Sequence, residues 1–136
     1  MPKPSLAPLS IPLKQEILDR LQTAAQVLNL SASVSVACAA DGVANALSSA
    51  WRPKRLPASG PTFLAVRLPE NLKPKLEEAS ATAGLKLAEL SRISVWAALY
   101  KMEGRKQVLW PFQFTKKELN DVVRMYSENE DNLYPQ

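Results

Sequence analysis

The sequence predicts a mostly α fold: a two-stranded antiparallel ribbon formed within one chain, four core helices and an extra C-terminal helix. Three observations lead there. First, the alternating run Phe63-Leu64-Ala65-Val66-Arg67-Leu68 is followed by apolar residues at helical spacing, up to Gly84 and again to Glu103. Second, the chain repeats its own pattern when the N-terminal half is laid over the later part. Leu9, Ile11 and Leu13 fall on Leu64, Val66 and Leu68, Ile17 on Leu72, Leu21 on Leu76, and Ala24 on Ala79. Third, in the same alignment Asn29-Leu30 falls on Gly84-Leu85, and Asn and Gly best tolerate the left-handed backbone that ends a helix. A lone strand of about six residues is unstable in water and needs a partner. The other half of the chain supplies one.

Residues Met1–Ala7 are Pro-rich and read as an extended or disordered arm, in which Lys3 is a solvated tail residue or touches a phosphate. The first unit spans 8–50. Its strand, Pro8–Leu13, holds two prolines of the same parity. Both missing N–H groups can point away from the partner, which a two-stranded ribbon tolerates because both of its strands are edges. A helix over Lys14–Leu28 follows, with Ile17, Leu18, Leu21, Ala24, Ala25 and Leu28 inward and Lys14, Gln15, Arg20 and Gln22 toward water. Ser31 is the N-cap of the next helix, Ala32–Ala50, whose small residues suit the centre of the core. Gly42 within it marks either a close crossing or a break after Asp41.

The linker, 51–61, contains three prolines and Gly60. About ten residues can span ~30 Å, enough to return the chain for antiparallel pairing. Arg52, Lys54 and Arg55 in it are either a phosphate clamp or a solvated charge cluster. The second unit spans 62–104. Its first helix is expected over Pro69–Ala83, with a kink or a tight first turn at Pro74, whose missing N–H would have bonded Glu70. Its second helix, Lys86–Glu103, is apolar most of the way round, as a buried helix should be. The C-terminal extension, 105–136, holds the aromatic stretch Val108–Phe114, expected to lie across the core. The capping box Thr115-Lys116-Lys117-Glu118 then opens a helix faced by Leu119, Val122, Val123 and Tyr126 and ending near Ser127.

Val66-Arg67-Leu68-Pro69-Glu70 with Gly84-Leu85 resembles the ribbon-helix-helix superfamily, the MetJ- and Arc-like β-ribbon readers of DNA. Ser10-Ile11-Pro12-Leu13 and Asn29-Leu30-Ser31 match its pattern less closely. The family ordinarily dimerises to build its ribbon. Two tandem copies in one chain look like a fused pseudo-dimer, as in the conjugative-plasmid nicking accessory proteins. The resemblance implies a ribbon in the major groove, with outward side chains at alternate positions reading base edges. Arg67 is then the leading candidate base reader, with Ser10 and Ala65 beside it; a solvated ribbon arginine is the competing reading of Arg67. Phosphate contacts are implied at Ser31, Ser33 and Lys86, where the turns at Leu30/Ser31 and Leu85/Lys86 offer backbone N–H groups, and at Lys54 and Arg55 if the linker clamps. The family's readers present three polar side chains per strand. This chain offers one arginine, one serine and several apolar groups, which favours an asymmetric or shape-driven site, or loss of DNA reading.

Charge agrees with a polyanion partner. The net charge is +4; residues 1–61 hold six Lys/Arg against three Asp/Glu, 62–106 eight against five, and 107–136 three against five. With no histidine, one cysteine and no Gly-rich phosphate loop, an enzyme is not expected, nor a metal or other cofactor. Cys38, in an apolar helical run, reads as a buried thiol. No convincing membrane span or signal peptide is present, so the expected location is cytoplasmic, with the nucleoid if DNA is bound. The expected partner is double-stranded DNA, bound by a monomeric pseudo-dimer or by a higher assembly on DNA, as a transcriptional regulator or a DNA-processing accessory factor. The alternative is a protein-interaction module: an adaptor, an antitoxin-like protein or a phage-encoded inhibitor. Its contact surface would be the apolar ribbon face and the aromatic C-terminal segment.

Overall fold

Antiparallel pairing of β1 (Ala7–Leu13) with β2 (Thr62–Leu68) joins the two halves of the chain. The structure, a computed structural model, describes residues 7–47, 62–68, 70–103 and 112–130. The N-terminal arm before Ala7, the linker with Lys54 and Arg55, and residues 104–111 lie outside the described residues. Between and after the strands come α1 (Gln15–Val27), α2 (Ala32–Ala46), α3 (Leu72–Ala83), α4 (Leu87–Met102) and α5 (Lys116–Glu130). β1–α1–α2 and β2–α3–α4 repeat one order of elements. The two strands coincide end to end in the alignment of the halves, Ala7 with Thr62 and Leu13 with Leu68.

The register pairs Leu9 with Val66, Ser10 with Ala65 and Ile11 with Leu64. Ile11 and Val66 are therefore diagonal neighbours on one face. Ile11, Leu13, Leu64, Val66 and Leu68 are buried on that face, and Leu9 packs partly against the same core. Pro8 and Pro12 fall on alternate pairs, opposite Arg67 and Phe63. Antiparallel pairs alternate between hydrogen-bonded and non-hydrogen-bonded, so both prolines can occupy the positions from which no ladder bond is lost.

Both turns between paired helices close in the same way. Asn29 and Gly84 adopt the left-handed region, with φ of 58° and 73°. Leu30 N–H donates to Ala25 O (2.9 Å) and Leu85 N–H to Ser80 O (2.8 Å), so the same bond recurs at the same place in each half. These are the crossed bonds that satisfy carbonyls at a helix end.

Several expected boundaries move. α3 begins at Leu72 rather than Pro69, after a turn at Glu70–Asn71. Pro74 thereby becomes its third residue, where a helical N–H has no acceptor, and the expected conflict with Glu70 disappears. α2 ends at Ala46, not Ala50, where Leu47 turns extended; Asn45 there is a residue whose side chain competes with helical backbone bonding. α5 runs on to Glu130, beyond the expected stop at Ser127.

α2 does not break at Gly42. An added Cβ there would lie 2.3 Å from the Phe112 carbonyl oxygen and 3.0 Å from Phe114 Cε2. The glycine marks a close crossing by the chain that leads into α5. Phe112 and Phe114 are buried at this crossing. α5 then packs on α4 through Leu119, Val122 and Tyr126, with the Tyr126 ring edge-on to Trp96 at 6.5 Å between centroids. The capping box forms in full: Thr115 N–H donates to Glu118 Oε1 (3.0 Å) and Glu118 N–H to Thr115 Oγ1 (3.1 Å).

α4 is enclosed by α1, α2, α3, α5 and β1, and nearly all of Leu90–Leu99 is buried. The facing α2 supplies Ala37, Ala39, Ala40, Gly42 and Val43, so small residues on one helix accommodate Ile93, Trp96 and Leu99 on the other. Truncating a fully buried Trp costs about 3–5 kcal/mol, which makes Trp96 the largest single packing contribution in this layer. Buried Ser80 and Ser94 place their hydroxyls on the carbonyls four residues back (2.7 and 2.8 Å), so neither is left unsatisfied. Arg20, expected to face water, is partly exposed and tied down: it bonds Glu103 through Nη2 and Nε and lies 5.4 Å from the centre of the Trp96 ring.

Candidate nucleic-acid interface

Because the strand period is two, burying Ile11, Leu64 and Val66 turns the alternate positions outward. Ser10, Ala65 and Arg67 are all exposed, and Pro12 is half-buried. The three residues expected to meet base edges are thus together on the solvent side of β1·β2: Ser10 directly opposite Ala65, and Arg67 two residues along β2. The opposite side of the ribbon is spent in the core, which holds the outward side in place.

The repeat and the register agree on a centre. Replacing each member of a pair by its counterpart in the other half returns another pair: Leu9·Val66 becomes Leu64·Ile11, and Pro8·Arg67 becomes Phe63·Pro12. Only Ser10·Ala65 returns itself. The internal two-fold relation of the ribbon passes through that pair, and Pro12 is the counterpart of Arg67.

The turns beside the ribbon are less open than the sequence suggests. Leu30 and Leu85 N–H groups are used in closing the α1–α2 and α3–α4 turns. Lys86 N–H donates to Glu89 Oε1 (3.0 Å), so a carboxylate of the chain itself occupies the start of α4. Glu89 is therefore a cap rather than a plain surface residue; its place three residues after the first residue of the cap was the available signal. Of the N–H groups expected to meet phosphate, these three are satisfied within the chain. The Lys86 side chain remains exposed.

The start of α2 differs. Ser31 Oγ accepts from Val34 N–H (3.1 Å), and the first turn holds no acidic residue. The next N–H groups, of Ala32 and Ser33, belong to the first turn and have no acceptor within a helix. Ser33 itself is half-buried. The N-terminal partial positive charge of α2 is thus unopposed by any carboxylate in its own first turn.

Arg92 is a further cation, not among the site residues the sequence motif points to. It is 9% exposed, within the most apolar stretch of α4, and lines a small pocket with Pro12, Leu13 and Trp96 behind the ribbon. A single charge interrupting an apolar helical run was its signal. Cys38 is half-buried, and burial, reinforced by Asp41, pushes its thiol up, away from the reactive thiolate. Among the described residues no group of His, Cys, Asp and Glu could hold a metal ion. No single helix among them is long and apolar enough to cross a membrane; α1 and α2 reach that composition only when taken together across a 91° bend. No family model, curated protein or solved structure matches the chain.

Proposed function

We propose that the chain binds double-stranded DNA as a tandem ribbon-helix-helix protein, laying β1·β2 in the major groove and acting as a transcriptional regulator or a DNA-processing accessory factor. The observation that carries this reading is the ribbon itself: one face in the core, the other presenting Ser10, Ala65 and Arg67 to solvent. A two-stranded ribbon fits a major groove about 12 Å wide. Arg67 there donates two bonds to guanine O6 and N7, and Ser10 exchanges one with a neighbouring base. The α2 N-terminus, with Ser31 and Ser33, and the Lys86 side chain lie against phosphates, joined by Lys54 and Arg55 of the linker. The excess of Lys and Arg over Asp and Glu before residue 107 favours the same partner.

Titrating the full chain against random-sequence duplex at several salt concentrations tests the reading. Binding should weaken with salt, with a logarithmic slope of about −0.9 per phosphate contact, and Arg67→Ala should weaken preferred duplexes more than random ones. No duplex affinity at low salt would refute it.

One observation favours a second reading, a protein-interaction module on the same scaffold. Val27 and Val34, flanking the α1–α2 turn, are 67% and 46% exposed. Their counterparts in the second half are Thr82 and Glu89, so the scaffold does not itself require apolar groups there. Phe112 and Phe114 are less available to a partner, being buried within the chain. Co-purification of one defined protein, abolished by Val27→Glu with Val34→Glu, would favour this reading.

A further inference from the structure

We infer that the duplex this ribbon takes is non-palindromic and is bound in a single orientation, an inference that rests on the DNA-binding reading above. A symmetric dimer reads two identical half-sites because every reader has a twin across the axis. Here the axis passes through Ser10·Ala65, and the described outward positions have counterparts of different chemistry. Arg67, a five-donor cation, is matched by Pro12, which has no side-chain donor and no backbone N–H. Ser10, a donor and acceptor, is matched by the methyl group of Ala65. No rotation about the axis exchanges these pairs and leaves the recognised pattern unchanged.

The flanks differ in the same sense. The α2 N-terminus has a neutral serine cap and no acid in its first turn, whereas the α4 N-terminus carries the Glu89 carboxylate on Lys86 N–H. A phosphate approaching α4 meets the Glu89 carboxylate beside the Lys86 ammonium, and a phosphate at α2 meets neither.

Position follows from strand rise. Arg67 is two residues from the axis, about 7 Å at ~3.4 Å per residue, which corresponds to about one to two base pairs for a ribbon running along the oblique major groove. A guanine is therefore required about one to two base pairs to one side of the centre of the footprint, with no matching requirement on the other side.

Selection of bound sequences from random duplex with the full chain, followed by the same selection with Arg67→Ala, tests this. The expected result is a motif without two-fold symmetry. Its guanine preference should be off-centre and fall about tenfold or more in Arg67→Ala, while the rest of the motif persists. A palindromic motif overturns the single-orientation inference and leaves DNA binding standing; an off-centre guanine preference that survives Arg67→Ala overturns the assignment of that guanine to Arg67. Failure to recover any duplex overturns both.

Discussion

Arg20 of α1 and Lys75 of α3 occupy the same place in the repeat, and each reaches the second helix of the opposite half. Arg20 lies 5.4 Å over the Trp96 ring of α4; Lys75 Nζ is 2.5 Å from Asp41 Oδ1 of α2, and Asp41 is the counterpart of Trp96. One contact is thus built twice, once as cation over ring and once as an ion pair. The two should differ in worth. Lys75 and Asp41 are each about two-fifths exposed, and such surface pairs contribute about 0–1 kcal/mol. Arg20 adds a two-pronged bond to Glu103 and the ring contact. Arg20→Ala should cost about 1–2 kcal/mol in urea unfolding and Lys75→Ala about 0.5 kcal/mol or less. Equal losses would contradict this assignment.

Gly42→Ala separates helix propensity from packing. Propensity alone favours alanine by about 1 kcal/mol. The new methyl would meet the Phe112 carbonyl oxygen at 2.3 Å, and this neighbour is backbone rather than a flexible side-chain end. The net result should be a loss of about 1–3 kcal/mol, accompanied by faster hydrogen exchange across α5. A stabilised variant would mean that the crossing is looser than described.

What was legible beforehand divides along the range of the interactions. Asn29 and Gly84 were readable because a left-handed residue is a local requirement, and the pairing of β1 with β2 because period-2 burial and the repeat constrain the same register. The outward position of Ser10, Ala65 and Arg67 follows from that parity alone. The pairing of Arg20 with Glu103 is not legible because the two are distant in the chain and leave no local mark. Gly42 is ambiguous in the sequence because the Phe112 backbone that crosses it lies seventy residues on. At the candidate interface, side-chain positions were more legible than the state of the backbone N–H groups. For Lys86 N–H the one local signal is Glu89 three residues on, a spacing that permits the cap and leaves its formation to the Glu89 rotamer.

Acid should loosen α5 before the rest of the chain. Burial pushes the Glu118 carboxyl up, but the bond from Lys101 Nζ (2.6 Å) and those shared with Thr115 outweigh this and hold it below the usual range. A carboxyl that binds its proton more weakly folded than unfolded contributes fully above its unfolded pKa. That contribution is lost as pH falls through the lowered folded value. Exchange protection of α5 amides should therefore drop at the acid end of the carboxylate range, releasing Lys101 from Glu118. Glu118→Gln should show weaker protection at neutral pH and little of this step. A step of the same size in Glu118→Gln would assign it to another group.

A covalent test of the register is available on the solvent side of the ribbon. Ser10 and Ala65 are directly opposed and exposed, so Ser10→Cys with Ala65→Cys disturbs no core contact. They share the parity of the Pro8·Arg67 and Pro12·Phe63 pairs, where proline allows only the non-hydrogen-bonded kind. Such pairs bring Cα atoms to about 4.5 Å, within the range a disulfide spans. With Cys38→Ser to remove the one native thiol, mild oxidation should give a monomeric, intramolecularly closed chain. A closed loop of this length stabilises by about 4 kcal/mol in the chain-entropy description, read as a shift in the denaturant midpoint on reduction. Ser10→Cys with Lys86→Cys, the latter at the α4 N-cap and outside the ribbon, should stay reduced under the same conditions. Intermolecular dimers in place of the closed monomer would mean that the strands pair between chains rather than within one.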